Sequence, residues 1–183
     1  MGLNSFWAKE PNPLINARSE TVTEKPSFRH AFRKRRCLIP ASGFYEWAKE
    51  EGQKQPYFIR LKNGSPMAFA GLWEEWTSTK GETRRTCVIL TIAANSLMQE
   101  IHHRMPVILT PSSGAMWLDH SVGQSSPEKL LLPFSADKME AWRVSPKVSV
   151  PAFDNPDCFR KLEKAEASEK KPEPPEAQAS LFD

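Results

Sequence analysis

The sequence predicts an α+β fold in which short strands outnumber short helices, and three observations predict it. Apolar stretches of four to eight residues recur between Arg36 and Ala93, closed by Pro40, by Asn63-Gly64 and by Gly81, the punctuation expected between strands. Segments with helical spacing are brief and open on a proline or a capping residue, at Pro26, Asn95, Pro111 and Pro127. The 183 residues show no internal repeat and suit one domain with a sizeable core.

Taken in order, residues 1–25 read as loop, with Pro11 and Pro13 before Leu14-Ile15-Asn16-Ala17-Arg18-Ser19-Glu20-Thr21. In an extended segment Asn16 and Arg18 share a face, and an amide beside a guanidinium can hold a polar chain end or a phosphate. Lys25-Pro26-Ser27 opens a helix whose Phe28, Ala31 and Phe32 recur at helical spacing. Arg33-Lys34-Arg35-Arg36 closes it, where cations complement the helix dipole; the cluster could also bind nucleic acid, but the run is short and the dipole and solvation reading is preferred. Strands are expected over Arg36–Ile39, Phe44–Trp47, Pro56–Leu61, Met67–Trp73 and Thr86–Ala93. The last is a near-continuous apolar run, as in a strand buried on both faces. A short helix follows over Ser96–Ile101, capped by Asn95 or Ser96, and Val107–Leu109 is another strand. Helices are expected over Pro111–Leu118 and Pro127–Leu132, and a final strand pair over Trp142–Ser145 and Val148–Val150. From Glu163 onward the composition shifts to Glu, Lys, Pro, Ala and Ser, so residues 1–162 form the domain and 163–183 a disordered acidic tail.

A mean hydropathy of −0.53 and the lack of a long apolar run argue against a transmembrane helix. Residues 1–13 hold no apolar signal-peptide core, so a cytoplasmic, nucleoid-associated protein is expected. The cysteines, Cys37, Cys87 and Cys158, are odd in number, widely spaced and form no CxxC, and they predict neither a disulfide framework nor a zinc site. No metal and no cofactor is expected. The tail carries three lysines against six acidic residues, a balance of −3, which leaves +6 on residues 1–162 out of the total of +3. A basic body is compatible with a polyanion partner.

The chemistry-bearing stretches are Gly43-Phe44-Tyr45-Glu46-Trp47 and His102-His103-Arg104-Met105-Pro106. Strand alternation puts Tyr45 and Trp47 on one face and Phe44 and Glu46 on the other, which is expected to point inward. A carboxylate in an apolar setting tends towards a raised pKa and suits proton transfer. A histidine on a helix-to-strand corner, held by rigid neighbours, suits general acid/base work. Adjacent histidines cannot readily ligate one metal together.

These stretches occur in one order with Phe6-Trp7-Ala8-Lys9, Ile15 to Thr21, Lys25 to Phe28, Arg35 to Pro40, Phe69-Ala70-Gly71-Leu72-Trp73, Thr91 to Asn95 and Trp142 to Ser145. Over about residues 1–150 the set resembles the SOS-response-associated peptidase (SRAP) family. The resemblance implies a compact α+β domain with a curved, barrel-like, mainly antiparallel sheet. It implies a sensor of abasic sites in single-stranded DNA. The family's nucleophile is a cysteine directly after the initiator methionine: its amine condenses with the ring-opened aldehyde, and its thiol closes a thiazolidine. Asn16, Glu46 and His102 match its catalytic positions. Asn16 would position the chain end and the sugar, Glu46 would take the amine's proton, and His102 would serve as acid/base in opening the sugar. Arg18 and Arg104 match phosphate-binding positions and Trp47 an aromatic that stacks at the lesion. The family pattern opens several dozen residues earlier with Met-Cys-Gly-Arg, so the resemblance leads us to expect that the N-terminal segment and its cysteine are missing, and that the shorter chain is less stable than a longer form. Gly2 offers an amine without a thiol. His103 stands where the family usually carries an acidic or amide residue.

Gln178-Ala179-Ser180-Leu181-Phe182-Asp183 resembles the peptide that binds the bacterial sliding clamp. Leu181 and Phe182 would fill an apolar cleft and Gln178 would bond at its rim, with the Pro/Glu-rich stretch as tether. Two rival functions are a non-covalent single-stranded-DNA module held at the clamp and a cysteine hydrolase using Cys37, His102 and Asn16. The second is disfavoured because Cys37 lies in a run that reads as buried strand.

Overall fold

The structure, a computed structural model, describes Leu3, residues 14–121 and residues 126–162. The elements run β1 (Asn16–Arg18), α1 (Pro26–Lys34), β2 (Arg36–Ala41), β3 (Phe44–Glu50), β4 (Gln53–Leu61), β5 (Met67–Thr77), β6 (Thr83–Ala93), α2 (Ser96–Gln99), β7 (Arg104–Pro106), β8 (Ile108–Leu109), α3 (Pro111–Leu118) and β9 (Met139–Arg143). The larger sheet has the order β1-β6-β5-β2, with β7 added to β6 and β8 to β5; the smaller has the order β3-β4-β9. Every pairing is antiparallel except β1 with β6. The expected curled, mainly antiparallel α+β architecture is the one observed.

Two apolar layers follow from the alternation of the long strands. Along β5, Ala70 and Leu72 point to one side and Met67 and Phe69 to the other; along β6, Val88 and Leu90 oppose Ile89. The first set packs with Phe28, Ala31 and Phe32 of α1 and Trp117 of α3. The second meets Phe44 of β3, Ile59 of β4, Met139 of β9 and Met98 of α2, filling the space between the sheets. Phe44 and Phe69 join across it edge to face at 5.9 Å, a geometry worth about 0.5–1.5 kcal/mol beyond the area buried. Thr86–Ala93 is thus buried on both faces at its centre, as its apolar run required.

The β7–β8 segment wedges between β6 and β5: Val107 N–H donates to the Leu90 carbonyl and Ala70 N–H to the Val107 carbonyl, each at 2.9 Å. Arg36 fastens the helices to the sheet. Its guanidinium donates to the carbonyls of Phe32 and Arg33 at the end of α1 and of Trp117 and Asp119 at the end of α3, and it stacks on Trp117 at 5.5 Å. The basic run after α1 therefore does more than complement one helix dipole.

Three expectations change. Residues 16–18 are strand, paired in parallel with Ile89–Thr91. Val148–Val150 is not a strand, because Pro146 opens a 3-10 turn over Pro146–Ser149 that the Ser145 side chain caps at Lys147 N–H. The segment after Pro127 is a 3-10 turn ending at Leu130. The proposed tail, with Gln178, Leu181 and Phe182, lies outside the described residues.

Candidate functional site

Glu46 is fully buried, on the inward face expected for it. In β3 the inward positions are Phe44, Glu46 and Ala48, with 4%, 0% and 3% of their surface exposed, while Tyr45 and Trp47 are half-buried on the other side. The alternation of β3 thus carries a carboxylate into the space between the sheets. Its Oε2 accepts the Trp47 N–H at 3.2 Å, and its Oε1 lies 3.9 Å from Nδ1 of His102.

His102 is delivered from the larger sheet. The Asn95 side chain caps α2 by accepting Met98 N–H at 2.9 Å and donates to the Phe134 carbonyl at 2.7 Å. The fully buried Met98 anchors the helix, and its carbonyl receives the His102 N–H at 2.7 Å. The chain then turns into β7, and the Arg104 peptide N–H donates to His102 Nδ1 at 3.1 Å. The His103 ring lies 4.4 Å from that of His102.

Asn16 completes the set. Its β1 position pairs with Ile89, so it shares the inward face with a residue of the inter-sheet layer. Both Oδ1 and Nδ2 are buried and neither has a hydrogen-bond partner among the described residues. An amide left wholly unsatisfied inside a protein is rare and asks for an explanation, and a polar ligand between the sheets supplies one. Asn16, Glu46 and His102 therefore address one inter-sheet space from β1, β3 and the α2–β7 corner.

The residues expected to contact DNA are placed differently. Arg18 is exposed on the same side of β1 as Asn16. Trp47 lies on the face of β3 opposite Glu46, where its Nε1–H donates to the Ser149 hydroxyl at 3.1 Å. Arg104 is 8% exposed. Its fork is occupied by Glu20, with 2.7 Å and 2.9 Å contacts to the two carboxylate oxygens, and one terminal nitrogen also donates to the Thr91 carbonyl at 2.7 Å. The guanidinium holds the Glu20 carboxyl below its ordinary range. Sequence reasoning missed Glu20, and no local signal marks it, since its partner is 84 positions away.

Cys37 is half-buried on β2, and desolvation, with Cys87 nearby, pushes its thiol up to about 11. A thiol that resists ionisation is a poor nucleophile. Among the described residues, no group of three or more His, Cys, Asp or Glu side chains is placed to hold a metal ion, and no helix is long and apolar enough to cross a membrane. A cavity of about 270 Å³ opens beside α1 and α3, lined by Arg29, Arg33, Arg36 and His120 among others. None of the candidate residues borders it, so it is separate from the inter-sheet site.

Comparison with known proteins draws these observations together. The family model described as SOS response associated peptidase (SRAP) matches residues 1–151. The chain belongs to the SRAP family. Among its SRAP relatives, the abasic site processing protein YoqW of Bacillus subtilis (strain 168) is 44% identical over 163 residues, covering 86% of this chain and 73% of YoqW. The abasic site processing protein HMCES of Rattus norvegicus is 32% identical over 192 residues, covering 86% of this chain and 54% of HMCES. A crystal structure of a Bacteroides thetaiotaomicron protein superposes with a TM-score of 0.81 at 32% identity, covering 88% of this chain and 75% of that one.

Proposed function

We propose that this SRAP chain recognises abasic sites in single-stranded DNA in the service of DNA repair. The observation that carries the reading is a buried carboxylate 3.9 Å from a histidine, together with a buried amide on the inward face of β1 whose polar atoms have no partner among the described residues. The names of the relatives, abasic site processing proteins, point to the same substrate.

The chemistry assigned to the site follows from the lesion. A ring-opened abasic sugar presents an aldehyde and a hydroxyl. Attack on the aldehyde needs a neutral amine, so Glu46 takes the ammonium proton. His102 moves the proton that opens the ring, and Asn16 hydrogen-bonds the opened sugar. The amine adds to the carbonyl carbon and water leaves as the imine forms. Where that amine belongs to an N-terminal cysteine, its sulfur adds to the imine carbon and the thiol proton goes to nitrogen, closing a thiazolidine. Arg18 holds a phosphate, Trp47 stacks at the edge of the site once its bond to Ser149 opens, and Arg104 supports the adjoining backbone. The segment Gln178 to Phe182 tethers the protein to the sliding clamp, raising its local concentration near lesions. This reading places the protein in the cytoplasm, at the nucleoid.

The competing reading is non-covalent binding of the same strand without crosslinking. Gel analysis separates the two. Abasic and intact single strands are compared on native gels for binding and on denaturing gels for covalent attachment. Tighter binding of the abasic strand, lost in Asn16→Ala or Glu46→Gln, is expected; equal binding of both strands would sink the substrate assignment. An SDS-resistant adduct selects the covalent reading and its absence the non-covalent one. The clamp assignment predicts loss of clamp binding in the Leu181→Ala, Phe182→Ala variant.

A further inference from the structure

Arg104 holds one end of a chain of contacts that reaches the His102 ring. Its Nη1 and Nη2 meet the Glu20 carboxylate at 2.7 and 2.9 Å, and Nη2 meets the Thr91 carbonyl at 2.7 Å and hydroxyl at 3.1 Å. That Thr91 carbonyl also receives the Ser19 N–H at 2.9 Å. Glu20, Arg104 and Thr91 thus tie the end of β1, which carries Asn16, to the start of β7, which follows His102. A guanidinium only 8% exposed could not sit there without a counter-charge. Glu20, whose side chain is 48% exposed, supplies it from the rim.

The backbone of the same arginine sets the ring. The Arg104 peptide N–H points at His102 Nδ1 from 3.1 Å. An N–H donor there requires a lone pair on Nδ1, which leaves the ring proton on Nε2. Two groups pull the other way: Glu46 Oε1, 3.9 Å from Nδ1, and the Arg104 carbonyl at 3.3 Å, both of which would accept a proton placed on Nδ1. The position of the Arg104 backbone therefore bears on which tautomer is favoured. That peptide is fixed by the pairing of Arg104 with Ala93 and by the anchoring of its side chain.

We infer that Glu20 is a positioning residue: by holding the Arg104 guanidinium it fixes the Arg104 peptide and so keeps His102 as the Nε2–H tautomer. The inference rests on the role proposed for His102 in abasic-site chemistry, but its structural half stands without DNA. It differs from a direct DNA contact, since Glu20 is an anion and would repel a phosphate.

The test reads the two halves separately. In the full chain without DNA, nitrogen-15 NMR of the His102 ring reports which nitrogen is protonated. The wild type is expected to show an unprotonated Nδ1 and a protonated Nε2. Glu20→Gln, which keeps the shape and loses the charge, and Arg104→Lys, which keeps the charge and loses the fork, are both expected to give averaged shifts from mixed tautomers. With abasic single strands, the rate of adduct formation or sugar opening at saturating DNA is expected to fall about tenfold in Glu20→Gln, with the half-saturating concentration changed less than twofold. Unchanged ring shifts in both variants would overturn the inference, whatever the kinetics. A wild-type ring protonated on Nδ1 would overturn it as well. Shifts that change as expected in a protein that does not discriminate abasic DNA would support the positioning role and refute the functional reading alone.

Discussion

Replacing Asn16 with leucine should make the protein more stable and less able to recognise its lesion. Both polar atoms of the Asn16 side chain are buried and have no partner among the described residues. Each such atom costs about 1–3 kcal/mol relative to its hydrated state, and an apolar group of the same shape escapes that cost. Leucine has asparagine's branching and its number of heavy atoms though a larger volume, and Asn16 shares its face with Ile89 of the inter-sheet layer, so its methyl groups meet apolar neighbours. Two such atoms, less about 1 kcal/mol for imperfect fit, give Asn16→Leu a gain of about 1–5 kcal/mol. For a chain of this length each kcal/mol moves the melting temperature by about 2–4 °C, so a rise of about 6–12 °C is the central expectation for a gain of about 3 kcal/mol. On the proposed function the same change removes the amide that would bond the sugar, and discrimination of abasic over intact single strands should fall at least about tenfold, as when a site built for a polar group loses its hydrogen bond. Thermal unfolding followed by circular dichroism measures the first quantity and competitive gel binding the second. A lower melting temperature with discrimination intact would refute the reasoning, because Asn16 would then be a satisfied structural residue.

Further predictions rest on separate observations. Gly43→Ala should destabilise by about 1–3 kcal/mol, since an added Cβ would lie 2.4 Å from Phe58 Cζ and 2.6 Å from the Ile59 carbonyl oxygen; chemical denaturation measures it. Glu20 has a folded pKa below its ordinary value of 4.5, chiefly through its hydrogen bond to Arg104. A carboxylate with a depressed folded pKa contributes stability above its unfolded pKa and loses it as pH falls through the folded one. Melting temperatures taken from pH 6 down to about pH 3 should therefore fall less steeply in Glu20→Gln than in the wild type. Cys37→Ser should leave recognition of abasic DNA unchanged, because a thiol pushed up to about 11 stays protonated at neutral pH; loss of activity in that variant would revive the cysteine-hydrolase reading.

The inward carboxylate was legible in the sequence because a period of two needs only local information. Phe44 and Glu46 had to share a face, Trp47 had to take the other, and the structure keeps both assignments. The corner holding His102 was legible as a capped helix running into a strand, although the first strand begins at Arg104 and not at the expected Val107. The parallel strand at Asn16–Arg18 was not, since three residues carry no periodic signal and their partner, Ile89–Thr91, is chosen by tertiary packing. The 3-10 turn at Pro146 defeated the strand expected over Val148–Val150 because β-branched residues vote for strand while the proline and the Ser145 cap decide the backbone. Arg104 shows the limit most clearly. A lone arginine before a strand gives no hint that its fork is filled from residue 20.

The fold gives up stability at Glu46 and Asn16. Glu46 is fully buried with Phe44 and Ala48 on the same face of its strand. A strand selected for stability would place an apolar residue there, because a carboxylate carried out of water costs several kcal/mol before its partners return any of it. Asn16 adds a second cost on the facing sheet. The two sit on opposite sides of one seam, and neither sheet alone can supply both, so the site exists only while the sheets remain packed. That packing is made by the apolar residues around it, among them Phe44 against Phe69 and the fully buried Ile59 and Met98. Met98 anchors the helix that precedes His102, and Phe44 lies two residues before Glu46 on the same face. The residues that hold the sheets together thus also set the 3.9 Å between carboxylate and imidazole. Two polar groups that weaken a seam, placed where its apolar residues are best able to carry the loss, are the arrangement expected when the seam itself is where the chemistry is done.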